Sequence, residues 1–298
     1  MTTVNKYLSL VKFSHTIFAM PFAMIGLVLG FSSRKYFLMA EPAPMWKLFL
    51  LVVLCMVFAR SAAMAFNRWL DAKFDKLNPR TAIREIPAGI LKADSVLWFT
   101  IACSVLFIFC TRFINQICFE LSPIALLVVL GYSYTKRFTP LCHLILGLGL
   151  SLAPIGAYLA VTGEFALLPI FFSVAVVCWV SGFDIIYALQ DEAFDKANKL
   201  HSIPAALGAA KALRVSEMLH LVSAACVIAA GVYGHFHWLY WIGVAVFAGM
   251  LLYQHSIVKP NDLRRVNLAF MTANGIASVV FAVFVITDMI VLPTVHQF

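Results

Sequence analysis

Residues 47–78 read KLFLLVVLCMVFARSAAMAFNRWLDAKFDKLN, an apolar run that passes without a break into Asn67-x-x-x-Asp71-x-x-x-Asp75. About twenty apolar residues are what a helix needs to cross a hydrocarbon core roughly 30 Å thick. In lipid only helices and closed barrels satisfy their own backbone, and strand-like alternation is absent here, so a helix is expected. On a helix, residues four apart share a face. Asn67, Asp71 and Asp75 therefore stack at the end of a membrane span, and no basic residue stands at an i+4 position to neutralise either aspartate.

The rest of the chain has the same character. Of its 298 residues 62% are hydrophobic and 12% charged, against about a quarter charged in soluble domains. Nine spans are expected, near 10–31, 47–69, 95–113, 115–134, 140–161, 166–188, 212–233, 236–255 and 267–292. Lys12 and His15 interrupt the start of the first, and no small-residue cleavage site follows, so it reads as a retained helix rather than a signal peptide. No Gly/Ser linker divides the chain. The expectation is one all-α integral-membrane domain over 1–298, a bundle of nine transmembrane helices.

With the N-terminus inside, seventeen of the 22 Lys and Arg residues fall on the cytoplasmic side. Arg34, Lys35, Lys47 and Arg112 fall outside, and Arg60 lies within the second span. The positive-inside rule then gives N-in, C-out in a bacterial inner membrane. Anionic lipid headgroups account for the peripheral lysines, and the net charge of +8 needs no nucleic acid. The seven cysteines lie in or beside spans without a C-x-x-C, where they act as small hydrophobes.

Two cytoplasmic connections are long, about 70–94 and 189–211, and they repeat one another. Asp71, Phe74, Asp75, Lys76 and Asn78 recur as Asp191, Phe194, Asp195, Lys196 and Asn198, an offset of 120, and Ile86-Pro87-Ala88 recurs as Ile203-Pro204-Ala205. Such self-similarity suggests two related helical halves facing one site, one motif near 67–89 and the other near 184–205. Asp184 comes just after Trp179-Val180-Ser181, close to membrane depth, where an acid is costly and marks function.

Carboxylates gathered opposite lysines and arginines suit Mg²⁺, which usually takes one or two carboxylates and completes its shell with phosphate oxygens and water. Two clusters can clamp a diphosphate through two ions while Lys and Arg neutralise the remaining charge. One D-x-x-x-D alone is weak evidence; two in matched context are strong. An allylic diphosphate held there ionises to a delocalised cation, and aromatic side chains offer it π faces. The D-D-x-x-D of soluble isoprenoid synthases and the D-G-x-x-A-R of CDP-alcohol phosphotransferases are both missing.

These motifs resemble the UbiA superfamily of membrane prenyltransferases over nearly the whole chain. N-x-x-x-D-x-x-x-D with its basic segment is matched by Asn67, Asp71, Asp75, Arg80, Thr81, Arg84 and Gly89; D-x-x-Y-x-x-x-D-x-x-x-D by Asp184, Tyr187, Asp191 and Asp195; the Y-x-x-x-K-R loop is similar to Tyr132 to Arg137, Tyr134 included. The resemblance implies nine helices around a cavity open to the cytoplasm, and Mg²⁺-dependent transfer of a polyprenyl group from its diphosphate to a ring carbon. It implies metal-diphosphate ligation by Asn67, Asp71, Asp75, Asp191 and Asp195. Lys12 and Lys136 would meet phosphate, and Arg137 the carboxylate of an aromatic acid acceptor. Around Lys12 to Phe22 and Gly182 to Asp191 the chain looks most like the 4-hydroxybenzoate polyprenyltransferase group of quinone biosynthesis. It departs at Ala72, where many of those enzymes carry Arg, and Ile203-Pro204-Ala205 resembles a branch suspected of prenylating 1,4-dihydroxy-6-naphthoate.

In the mechanism this implies, the ring attacks the allylic cation ortho to its hydroxyl, with Asp191 accepting the phenolic proton. His15, His143, His220, His235 and His237 are scattered, which favours core or interfacial roles. A transporter is the alternative from another class, but it needs polar groups in both leaflets. Here acids and bases concentrate on one face, and only Glu41, Glu120, Glu164 and Asp288 lie towards the other.

Overall fold

The computed structural model describes residues 3–11, 18–39 and 41–292. They form α1 (Thr3–Leu10), α2 (Met20–Phe31), α3 (Arg34–Leu38), α4 (Met45–Leu70), α5 (Ala72–Leu77), α6 (Ala93–Arg112), α7 (Gln116–Thr135), α8 (Cys142–Thr162), α9 (Leu167–Ala188), α10 (Glu192–Ala197), α11 (Ile203–Leu207), α12 (Ala209–Tyr233), α13 (Trp238–Ile257) and α14 (Asn274–Val291). A 3₁₀ turn at Leu189–Asp191 joins α9 to α10, and a π-helical segment, Leu268–Ala273, leads into α14. An isolated β bridge joins Lys259 and Asp262, and no β-strand is formed among the described residues.

Among the described residues seven stretches are long and apolar enough to cross a membrane: α4, α6, α7, α8, Leu167–Ala197, α12 and Leu268–Val291. The described helices α2 and α13 occupy the positions of the first and eighth expected spans. Lys12 and His15 lie outside the described residues.

The centre is α9, packed between α8 and α12, with α2 against α8. Trp179 of α9 is fully buried among Phe22, Phe183 and Phe247. Its indole N–H donates to Asn274 Oδ1 (2.8 Å), which also accepts from Gln254 Nε2 (2.8 Å). Three helices are thus tied through one amide oxygen, because a polar group in this interior must find a partner. Asp288 is buried for a related reason. Its carboxylate accepts the backbone N–H groups of His237 (3.0 Å) and Tyr240 (3.1 Å), capping α13 from a neighbouring helix.

Small residues let the central helices approach closely, as in membrane bundles generally. A Cβ added at Gly147 of α8 would lie 2.5 Å from the Val177 carbonyl oxygen of α9, so backbone would have to move. Gly156, on the same helix, has open space around it. Gly147→Ala is expected to lose about 1–3 kcal/mol, whereas Gly156→Ala stays neutral or gains up to about 1 kcal/mol from helix propensity. Melting of the detergent-solubilised variants checks this, and equal behaviour of the two would refute the close α8–α9 contact.

Candidate active site

Each acidic motif sits where a long span ends and the chain restarts as a short helix. The break falls on the two aspartates matched in the repeat: Asp71 (φ −89°, ψ 4°) between α4 and α5, and Asp191 (φ −104°, ψ 3°) before α10. The i→i−4 pattern survives the first break, with Asp71 N–H donating to Asn67 O (2.9 Å) and Asp75 N–H to Asp71 O (2.8 Å). Asn67 therefore keeps the expected face, and its Nδ2 donates to Asp71 Oδ2 at 2.9 Å.

The cations missing at i+4 arrive from two connections. Arg80 and Arg84 follow α5; Lys136 and Arg137 follow α7. Each pair reaches both motifs. Arg84 Nη1 lies 2.6 Å from Asp75 Oδ1, and Arg137 Nη2 lies 3.0 Å from Asp71 Oδ1. Across the site, Arg80 grips both oxygens of Asp191, with Nε at 3.0 Å from Oδ1 and Nη2 on Oδ2. Lys136 Nζ lies 2.8 Å from Asp195 Oδ1, an ion-pair contact outside hydrogen-bond geometry, while Ser202 Oγ donates to Oδ2 (2.8 Å). Burial works against the Lys136 ammonium, but Asp195 outweighs it and holds the pKa above the ordinary lysine value. Arg80 is raised by the same balance, burial opposing and Asp191 prevailing. At Asp71 burial prevails over Arg137 and raises the carboxyl pKa.

These groups line a cavity of about 860 Å³. Asn67, Asp71, Asp75, Arg80, Arg84, Lys136, Arg137, Asp184, Tyr187, Asp191 and Asp195 all face it. Tyr187 receives Arg80 Nη1 on its hydroxyl (2.9 Å) and lies under the same guanidinium. Deeper, Met64, Leu146, Leu150, Phe183 and Phe270 supply apolar wall, the last from the π-helical segment.

Tyr134 does not join them. It is 44% exposed, outside the cavity lining, with its ring against Phe66 and Arg137. Tyr132 lines the cavity instead, since residues two apart on a helix point to nearly opposite sides.

Four further cavity residues escaped the sequence reading of the site. His143, buried on α8, brings Nδ1 to 2.7 Å from Asp184 Oδ2. Arg60 lines the cavity from within α4. Glu85 accepts from Ser9 Oγ (2.5 Å) and lies 3.9 Å from Arg68 Nε, so the segment carrying Arg80 and Arg84 is pinned to α1 and α4. His143 and Arg60 could have been suspected from their place in spans beside the motifs. The Arg68–Glu85 pairing had no spacing signal.

Asp75 Oδ2 and Asp195 Oδ1 are buried without a hydrogen bond. Asp195 Oδ1 has only the Lys136 ammonium beside it, and hard carboxylate oxygens of this kind, one in each motif, fit a hard divalent cation. Among the described residues no three His, Cys, Asp or Glu side chains could hold a metal by themselves. A cation here needs oxygens from a bound substrate, the usual habit of Mg²⁺ with phosphates.

A family model described as the UbiA prenyltransferase family matches residues 19–276. The chain belongs to this family. The 4-hydroxybenzoate octaprenyltransferase of Nitrosospira multiformis is 28% identical over 253 residues, 85% of this chain and 87% of that one. A UbiA homolog from Aeropyrum pernix K1, solved in the apo state, superposes with a TM-score of 0.78 at 28% identity, over 94% of this chain and 98% of that one. A UbiA homolog from Archaeoglobus fulgidus, solved with DMAPP and Mg²⁺, has the same fold, with a TM-score of 0.70 at 20% identity over 95% and 99%. This UbiA-family chain is accordingly a multi-pass membrane prenyltransferase, and its acidic and basic residues converge on one cavity.

Proposed function

We propose that this enzyme transfers a polyprenyl group from polyprenyl diphosphate to a ring carbon of 4-hydroxybenzoate, with Mg²⁺, in ubiquinone or menaquinone biosynthesis. The observation that carries the reading is the pairing of four carboxylates, two from each motif, with four cations drawn from two connections around one cavity. The name of the Nitrosospira relative supports the acceptor, and the ligands of the Archaeoglobus homolog support the donor class and the metal.

Asn67, Asp71, Asp75, Asp191 and Asp195 would hold the metal, which supplies Lewis-acid neutralisation of the departing diphosphate. Before substrate arrives, Arg80, Arg84, Lys136 and Arg137 balance the carboxylates, so the cavity stores little net charge. When a diphosphate enters, Arg80, Arg84 and Lys136 turn to its oxygens, where charge-assisted bonds are stronger than neutral ones. The apolar wall takes the isoprenoid and keeps water from the allylic cation. Arg137, engaged by Asp71 here, is the cation that would meet an acceptor carboxylate beside the motif. The reaction chamber opens to the cytoplasm in a nine-helix bundle, N-terminus inside and C-terminus outside, in a bacterial inner membrane whose lipids surround it.

Membranes carrying the protein are expected to prenylate 4-hydroxybenzoate from a labelled polyprenyl diphosphate with Mg²⁺ and to stop with EDTA. Product from 1,4-dihydroxy-6-naphthoate alone would move the enzyme to the other phenolic acid. Turnover undiminished by EDTA would refute the metal assignment.

A further inference from the structure

Five carboxylates of the cavity are bound to arginine or lysine: Asp71, Asp75, Asp191 and Asp195 in the motifs, and Glu85 beside Arg68. Asp184 is different. Its partner is His143, through Oδ2 at 2.7 Å, and among the described residues Oδ1 takes no hydrogen bond. The carboxylate is 23% exposed, into the cavity, whereas His143 behind it is 3% exposed. His143 Nε2 faces the Ile203 N–H at 3.4 Å, which leaves the lone pair on Nε2 and the proton on Nδ1, donated to Asp184. A buried imidazole therefore fixes one carboxylate oxygen and leaves the other facing the reaction space. Asp184 is also two helical turns deeper than Asp191, about 10 Å along α9. That is the direction in which the ring must lie if the diphosphate sits between the motifs. Asp191, by contrast, already receives two nitrogens of Arg80 and Asn78 Nδ2.

Resting on the prenyl-transfer reading above, we propose that Asp184, held by His143, is the base that takes the ring proton. The C–O bond of the allylic diphosphate breaks and its electron pair leaves on oxygen; a ring carbon ortho to the hydroxyl forms the new C–C bond with the allylic carbon. That ring carbon then loses its proton to Asp184 Oδ1, and the C–H electron pair restores aromaticity. The carboxyl group returns the proton to water or departing diphosphate. His143 is a positioning residue.

The test compares kcat for 4-hydroxybenzoate and its 3,5-dideuterated form, measured separately in membranes carrying the full chain. In the wild type deprotonation is fast and the isotope effect is near unity. In Asp184→Asn, kcat is expected to fall at least about 10²-fold, a primary isotope effect to emerge, and Mg²⁺-dependent binding of prenyl diphosphate to persist. Asp184→Glu, which restores a carboxylate, and His143→Gln, which keeps an N–H donor, are expected to recover part of the rate; His143→Leu is not. An Asp184→Asn enzyme with wild-type turnover, with no change in isotope effect, or with prenyl diphosphate binding lost in parallel overturns the assignment. A wild type that prenylates no phenol at all would instead bring down the functional reading, and this inference with it.

Discussion

Replacing Asp191 with alanine is expected to lower prenyl transfer at least about 10³-fold, the scale seen when a preorganised electrostatic group is removed from an active site. Three donors converge on this carboxylate: Arg80 through Nε and Nη2, and Asn78 through Nδ2 at 3.0 Å. Its loss would free Arg80 to lean on Tyr187 alone, remove a proposed metal oxygen, and leave the buried Asn78 amide without its acceptor. The two asparagines provide the internal control. Asn78 and Asn198 are matched in the sequence repeat, but Asn198 Nδ2 donates only to its own helix, at Phe194 O (2.9 Å). Asn78→Ala should therefore impair turnover and Asn198→Ala should leave it near wild type. Rates measured across a Mg²⁺ titration decide the matter, and an Asp191→Ala enzyme within about tenfold of wild type would remove Asp191 from the centre of the mechanism.

That asymmetry shows where sequence reading succeeds and where it stops. The spans are legible because lipid demands long apolar helices, and the acidic motifs because they recur at a constant offset of 120. Which cation meets which carboxylate is not legible. Lys136 and Arg137 are adjacent in the chain yet pair with opposite motifs, because the chain just after α7 passes between Asp71 at the end of α4 and Asp195 of α10. Tyr132 is the tyrosine of the Y-x-x-x-K-R pattern, four residues before Lys136, and helical periodicity separates it from Tyr134 on the other side of α7. The place of His143 in a span beside the motifs makes it a candidate, but its partner is not legible in the sequence; the close α8–α9 packing at Gly147 sets it against Asp184. The Arg68–Glu85–Ser9 cluster joins residues 76 positions apart and belongs to the same category.

The pairing of Lys136 with Asp195 separates two roles that activity alone would confuse. The Asp195 side chain is fully buried and that of Lys136 is 34% exposed. Lys136→Ala leaves an uncompensated buried carboxylate and is expected to cost about 3 kcal/mol, the lower end of the range for breaking a buried pair, because the lysine is partly screened by water. Adding Asp195→Asn removes the orphaned charge and keeps a group that can bond Ser202 Oγ, so the double variant should regain most of that stability. It should not regain activity. If Lys136 turns to a phosphate oxygen and Asp195 to the metal, both variants stay at least about 10²-fold below wild type. Melting curves and turnover on the same detergent-solubilised preparations read the two effects side by side. A double variant restored in both would mean that Lys136 serves only to balance charge. A single variant that melts like wild type would mean that the 2.8 Å contact contributes nothing to the fold, which leaves substrate as its reason for being there.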